Sequence, residues 1–334
     1  MPRGTPFESR WVRTEPRRVV PKALLNRIAQ TALPHSRVID VQPLTGGSRN
    51  ANLRIELDSP RECVVLRIYE HDASICRKEM DLLNLIRGSV PVPEVIQAEP
   101  EGWSDLPPFA IFRYVAGVSF GELKRGGEAG AIAQAARSVG RTLAVIHRTM
   151  FPKPGWIGPG GQVGAPLLEG PNASPRFVAA CLESENCRQR MDSDLRERVL
   201  DLVWSHAAEL AGVDEEQRLV HGDFGKRNVL VRCVSGEWAV AAVLDWEFAI
   251  SGSPLVDLGH FLRYERESRP LLEPHCSQGY SEAGGELRSG WGRLSQVVDL
   301  IALCESLTHD DLPGDVVGEL VELVRAAVEG RDRL

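Results

Sequence analysis

The chain is 334 residues long, with 43% hydrophobic and 25% charged residues, enough for one large core or two smaller ones and too apolar for global disorder. Its net charge of −7 divides unevenly, with a balance of +5 over residues 1–150 and −12 over 151–334; the basic half suits polyphosphate, and the acidic half argues against nucleic acid as a partner. Seven cysteines (Cys63, Cys76, Cys181, Cys187, Cys233, Cys276, Cys304) form no C-x-x-C pair and no His-spaced cluster, so neither a disulfide framework nor a zinc site is readable.

In chain order, Arg3, Arg10, Arg13, Arg17 and Arg18 form a basic leader with no apolar stretch behind it. No later run approaches membrane-spanning length, so the expectation is a cytoplasmic protein without membrane contact. Residues 22–33 carry Ala23, Leu24, Ile28 and Ala32 at helical spacing. Three strand-like runs follow, 38–44, 52–57 and 63–69, the first leading into a Gly46-Gly47 turn. A helix is predicted over 74–87, stopped by Gly88, and two more strands over 95–98 and 109–115. That succession predicts a five-stranded antiparallel lobe with one inserted helix.

The second half is mainly helical. Helices are predicted over 129–148, 176–187, 195–210, 254–264, 290–309 and 316–330, and residues 151–175, dense in Gly and Pro, read as a long loop. Two strands, 229–234 and 239–244, bracket a Ser235-Gly236-Glu237 turn. The fold class is therefore α+β.

The chemistry concentrates in His221-Gly222-Asp223-Phe224-Gly225-Lys226-Arg227-Asn228 and in Leu244-Asp245-Trp246-Glu247. Asp223 and Asn228 share one short loop entering a strand, and Asp245 ends the next strand. Two carboxylates and an amide so ordered can receive a hydroxyl proton and hold magnesium on nucleotide phosphates. Asp223 is the candidate base, and Asn228 and Asp245 are candidate metal ligands with hard oxygen donors. Lys226 or Arg227 could neutralise charge on the transferring phosphoryl group, with Lys226 the preferred candidate, or either could simply face solvent. Gly46, Gly47 and Ser48 can bring backbone N–H groups close to phosphate.

The two elements resemble the aminoglycoside phosphotransferase and choline-kinase-like family, small-molecule relatives of protein kinases. The likeness continues through Leu44 to Asn50 as phosphate loop, Val64-Val65-Leu66-Arg67 as the strand that usually ends in lysine, and Glu79 on the next helix. Phe112 to Gly117 corresponds to the hinge, and Leu143 to His147 precedes the central loop. The resemblance implies a bilobal protein-kinase-like fold, with a nucleotide-binding N-lobe over 1–115 and a catalytic C-lobe over 116–334. It implies ATP, with GTP open, and Mg2+ as cofactors. Arg67 departs from the lysine pattern but keeps the charge and can grip phosphate, with Glu79 as its partner. The adenine slot would be lined by Leu44, Val65, Phe112, Leu230 and Leu244, with the backbone of Arg113, Tyr114 and Val115 reading the base edge. His221 and Asp257 would be scaffold.

Only a short segment, 246–256, separates Asp245 from Asp257, and no Ala-Pro-Glu follows, so a polypeptide acceptor is disfavoured. The expected acceptor is a small, cationic, amino-bearing molecule such as an aminoglycoside-type antibiotic, as in antibiotic resistance, or an amino metabolite. Glu247, Glu265, Glu267, Asp299, Glu305, Asp310 and Asp311 are candidates to meet its ammonium groups, with Trp291 and Tyr280 as aromatic walls. The protein would be a monomer or homodimer. A nucleotide-binding pseudokinase scaffold is the alternative, motivated by the missing lysine; a metal hydrolase around His221, Asp223 and His260 leaves the Gly-rich turn unexplained.

Overall fold

A computed structural model describes residues 20–44, 50–58, 61–265 and 269–330. Helix α1 (Lys22–Ala32) turns Leu25, Ile28 and Ala29 onto one face, and that face packs on a five-stranded antiparallel sheet. The strands are β1 (Val38–Pro43), β2 (Ala51–Asp58), β3 (Arg61–Ile68), β4 (Val95–Glu99) and β5 (Phe109–Arg113), in the order β1-β2-β3-β5-β4. Along β2 the period of two is strict, with Ala51, Leu53, Ile55 and Leu57 buried between less buried neighbours. Helix α2 (Ala73–Ile86) enters between β3 and β4. Asp72 caps it by accepting the Ser74 N–H at 2.9 Å.

The chain then crosses through Tyr114–Gly117 to β6 (Val118–Ser119) and α3 (Phe120–Gly126), whose Ser119 and Glu122 cap each other reciprocally. The second lobe continues with α4 (Ala129–Ile146), β7 (Gly155–Trp156), α5 (Ala173–Glu183), α6 (Glu185–Arg190), α7 (Ser193–Ser205) and α8 (Ala207–Asp214). It ends with β8 (Arg218–Val220), β9 (Val229–Val234), β10 (Glu237–Val243), β11 (Ile250–Gly252), α9 (Leu255–Leu262), α10 (His275–Glu282), α11 (Trp291–Ser306) and α12 (Gly314–Glu329). Two small sheets, β10-β9-β6 and β7-β11-β8, lie among these helices.

Three cores hold the molecule. One lies under the five-stranded sheet, and one joins α5 to α8 with α11 and α12. The central core unites the buried face of α2 (Cys76, Met80, Leu82, Leu83, Ile86) with α3, α4, α9, α10 and Trp246. Helices α4 and α10 approach so closely that a Cβ at Gly140 would stand 1.9 Å from the Cys276 carbonyl oxygen, and one at Gly279 would stand 1.9 Å from that of Arg137.

The structure differs from the sequence reading in several places. The helices predicted over 176–187 and 195–210 are each split: Ser184 is extended and caps α6, and His206 separates α7 from α8. The 151–175 loop carries β7, which pairs with β11, and its Gly160 N–H donates to Asp81 of α2 at 2.6 Å. Helices α3 and α10 have no counterpart among the predicted elements. Among the described residues no helix is long and apolar enough to cross a membrane.

Candidate active site

Strand β8 leads directly into His221, Gly222 and Asp223. Asp257, fully buried in the first turn of α9, accepts the N–H groups of His221 at 2.8 Å and Gly222 at 3.0 Å. His147, at the end of α4, braces the same carboxylate at 3.2 Å and meets the Tyr280 hydroxyl at 3.0 Å. Gly222 adopts φ +80°, and a Cβ there would lie 2.3 Å from the Phe248 carbonyl oxygen, so the turn requires glycine. His221 Nδ1 accepts the Asp223 N–H at 3.2 Å, which leaves Nε2 to donate to the Leu244 carbonyl at 2.8 Å. Both ring nitrogens are spent on the scaffold.

Asp223 and Asn228 touch. The Asn228 amide nitrogen donates to the Asp223 main-chain oxygen and to its Oδ2, both at 2.9 Å, which orients the amide and leaves its oxygen for another partner. The Leu244 N–H reaches the Asn228 carbonyl at 2.8 Å and so fastens Asp245 to the same loop. Asp245 adopts φ +67°. Burial above all, with the Asp245 charge behind it, holds the Asp223 carboxyl above its ordinary range, against the pull of His221 and Arg227. The Asp223 side chain is still 30% exposed, open to a ligand.

Beside Asp245 lies a buried cation shared among three carboxylates. Arg67 Nη2 sits 2.5 Å from Asp245 Oδ1 and 3.4 Å from Glu247 Oε2, and its Nε sits 3.4 Å from Glu79 Oε2. Burial opposes the guanidinium charge, but Asp245 and Glu79 outweigh it and hold Arg67 well above its ordinary range. At 6% exposure Arg67 is not the half-exposed strand arginine that the sequence also allowed. Glu79 further accepts the Tyr69 hydroxyl and the Trp246 N–H, the latter at 3.0 Å. Asn50 donates to Glu247 Oε2 at 2.7 Å, and Lys78 Nζ donates to the Glu247 carbonyl at 2.7 Å. Burial, then Asp245, raises Glu247 to about 7.

The donor set fits magnesium. Among the described residues no group of three or more His, Cys, Asp or Glu could hold a metal unaided. Mg2+ asks less, because one or two protein oxygens suffice when phosphates and waters complete its shell. The unspent Asn228 amide oxygen and the Asp245 carboxylate would supply those two. The bound ion would neutralise charge on phosphate oxygens.

On the nucleotide side, Val65 and Phe112 are cross-strand partners and pack toward the central core, with Leu230 on β9 and Leu244 just past β10. Leu44 is 37% exposed, immediately before a segment outside the described residues. Gly46, Gly47 and Ser48 lie in that segment. Arg113 and Tyr114 spend their N–H groups on the carbonyls of Glu94 at 2.9 Å and Cys63 at 3.2 Å. Among the described residues, Val115 retains an uncommitted N–H.

The acceptor residues do not gather as expected. Glu247 belongs to the Arg67 cluster. Glu305, six positions beyond Asp299 on α11, pairs with His309 at 3.0 Å. Trp291 opens α11 and packs, partly buried, on the central core, and Tyr280 is 3% exposed against His147. Glu265 accepts the N–H groups of Leu272 and Glu273, the latter at 2.8 Å. It does line a cavity with Arg263, Ser295 and Asp299, where Arg263 grips Asp299 at 2.7 and 2.8 Å. Glu267 lies outside the described residues. Glu247, Glu265, Asp299 and Glu305 are thus claimed by partners, and Asp310 accepts from the Asn186 amide at 2.7 Å, engagements that charge along a sequence does not reveal.

Lys226 is also placed differently. It is 4% exposed, with its ammonium 5.8 Å from the Phe261 ring and 5.2 Å from the Tyr264 ring. The side chain that faces Asp223 is His260, whose Nε2 lies 3.6 Å from Oδ1. Burial, reinforced by Arg263 and Lys226, keeps His260 well below its ordinary value and hence neutral. Sequence reasoning reached His260 only through the hydrolase alternative; its three-residue offset from Asp257 on α9 was the available signal.

A model of the phosphotransferase enzyme family matches residues 40–296, which span the sheet, the Asp223–Asn228 loop, Asp245 and the start of α11. The chain belongs to that family. The phosphotransferase is similar in structure to a thermostable mutant of aminoglycoside phosphotransferase APH(4)-Ia in its apo form, with a TM-score of 0.64 and 21% identity, covering 89% of this chain and 97% of that one. The GDP complex of wild-type aminoglycoside 2'-phosphotransferase-IIIa gives a TM-score of 0.67 at 20% identity, covering 93% of this chain and 100% of that one. At such identities the likeness speaks for the bilobal protein-kinase-like fold. Among curated proteins, acyl-CoA dehydrogenase family member 11 from Pongo abelii is 35% identical over 101 residues, and its Homo sapiens counterpart is 35% identical over 95. Those stretches are 30% and 28% of this chain but only 12% and 11% of the relatives, so the match spans about an eighth of their length. By family and fold, this phosphotransferase is a small-molecule kinase.

Proposed function

We propose that the protein transfers the γ-phosphoryl group of ATP directly to a hydroxyl of a small molecule, in the cleft between an N-lobe of residues 1–115 and a C-lobe of residues 116–334. Asp223 orients the hydroxyl and accepts its proton; Asn228 and Asp245 hold Mg2+ on the phosphates; Arg67, kept in place by Glu79, grips phosphate; Gly46, Gly47 and Ser48 cover it. The Val115 N–H reads the base edge, and GTP would meet the same donor. The observation that carries this reading is the contact of Asn228 with Asp223 beside Asp245, with the amide oxygen left unspent. The short run from Asp245 through β11 into α9 supports a small acceptor, since it offers no platform for a polypeptide. We place the reaction in the cytoplasm, where ATP is supplied.

The neighbours crystallised with hygromycin B and with kanamycin take amino-bearing compounds. In this chain Glu247, Glu265, Asp299, Glu305 and Asp310 are engaged by other partners, so the proposal requires a hydroxyl and no amine. Coupled ADP release over a panel of hydroxylated metabolites and antibiotics tests it. Asp223→Asn should lower acceptor phosphorylation by about a hundredfold to ten-thousandfold. Asp245→Ala should abolish magnesium-dependent turnover. A wild type without any magnesium-dependent turnover would favour the scaffold alternative.

A further inference from the structure

The charges around Asp223 are arranged differently from those of a site for an amine. Arg263 is committed to Asp299, Arg67 to three carboxylates, and Lys226 lies over two aromatic rings. Arg227, between Lys226 and Asn228 on the catalytic loop, is half-buried, and among the described residues its guanidinium forms no hydrogen bond or ion pair. It is near enough for its charge to act on both Asp223 and His260. His260 faces Asp223 as a neutral ring, and a Cβ at Gly225 would lie only 3.4 Å from its Nε2, so loop and ring close one side of the base. Among the described residues, the catalytic loop thus carries one part-exposed carboxylate, Asp223, and one cation with no hydrogen bond or ion pair, Arg227.

We propose that Arg227 selects acceptors that carry an anionic oxygen group, a carboxylate or a phosphate, next to the hydroxyl that is phosphorylated. The inference rests on the reading of Asp223 as the residue that receives the hydroxyl proton. A guanidinium presents a planar fork of donors that matches carboxylate and phosphate oxygens in pairs, and it repels an ammonium group in the same place. The competing role for Arg227, neutralising the transferring phosphoryl group, would act equally on every acceptor.

The experiment measures kcat/KM by coupled ADP release for three acceptors with one hydroxyl-bearing carbon skeleton, ending in a carboxylate, a phosphate or an ammonium group. The wild type is expected to favour one or both anionic members over the ammonium member by about tenfold or more, the scale of one lost charge-assisted contact. Arg227→Ala should bring that ratio toward unity, Arg227→Glu should invert it, and Arg227→Lys should keep its direction. A ratio within one preparation cancels any general loss of activity. A wild type that prefers the ammonium member, or a ratio that stays constant through the series, overturns the proposal. If none of the three is turned over, melting-temperature shifts are read with Mg2+ and AMP-PNP present. The absence of an Arg227-dependent shift from the anionic members then overturns it as well. Failure of the phosphotransfer reading looks different: the wild type would release no ADP in a magnesium-dependent way, and Asp245→Ala would change nothing.

Discussion

Arg67 gathers Glu79, Asp245 and Glu247 around one buried charge. Removing a single partner from a buried ionic group leaves the others uncompensated and costs about 3–5 kcal/mol. Arg67→Ala should therefore lower the urea midpoint by a loss of that size. Arg67→Lys should lose less, because the charge stays while the two-sided reach from Nε and Nη2 goes. Asp223, Asn228 and Asp245 were legible in the sequence because one loop and one strand end fix their relation by backbone geometry alone. Glu247, Glu265, Trp291 and Glu305 were not legible as a group. Their partners are set by packing between distant elements, and a carboxylate on a helix carries no mark of the cation or N–H that will claim it.

At the scale of elements, α2 is tied to the C-lobe by Lys78, whose ammonium reaches the Glu247 carbonyl. Burial lowers Lys78 to about 8, against the opposing pull of Glu247, Glu79 and Asp72. The unfolded value is roughly 10.4, so between these limits the unfolded chain binds more protons and this group's contribution to stability rises with pH. The melting temperature of the wild type should gain on that of Lys78→Met between about pH 7 and about pH 9.5. An unchanged difference would show that Lys78 is not desolvated in solution. The crossing of α4 and α10 gives a second test: Gly140→Ala or Gly279→Ala forces a methyl onto a carbonyl 1.9 Å away, and each should destabilise by at least the 1–3 kcal/mol typical of overpacking, roughly. Most strands and long helices could be read from periodicity. The breaks at Ser184 and His206 could not, because apolar residues continue across them, with Leu182 and Cys187 buried around one and Val203 and Leu210 around the other. Helix α10 stayed hidden because His275, Ser277, Gln278 and Gly279 give it little helical signature.

For the whole molecule, the proposed nucleotide joins residues from both lobes, so its binding should stabilise the entire fold. Mg2+ with ATP at a hundredfold excess over its dissociation constant adds about 2.7 kcal/mol. A scanning measurement should show the corresponding rise in melting temperature in the wild type and its loss in Asp245→Ala. The bilobal outline was visible beforehand in the change from strand-rich to helix-rich halves. The sharing of α2 between them was not, since Met80, Leu83 and Ile86 read as the face of any amphipathic helix.

That sharing has a consequence for control. The inner face of this helix is set among the central helices, its Lys78 is moored to Glu247 and its Asp81 is clasped by Gly160. Catalysts that are silenced by displacing this kind of helix need a loosely held one. If the proposed transfer takes place here, a helix held in this way would leave its rate to the supply of reactants.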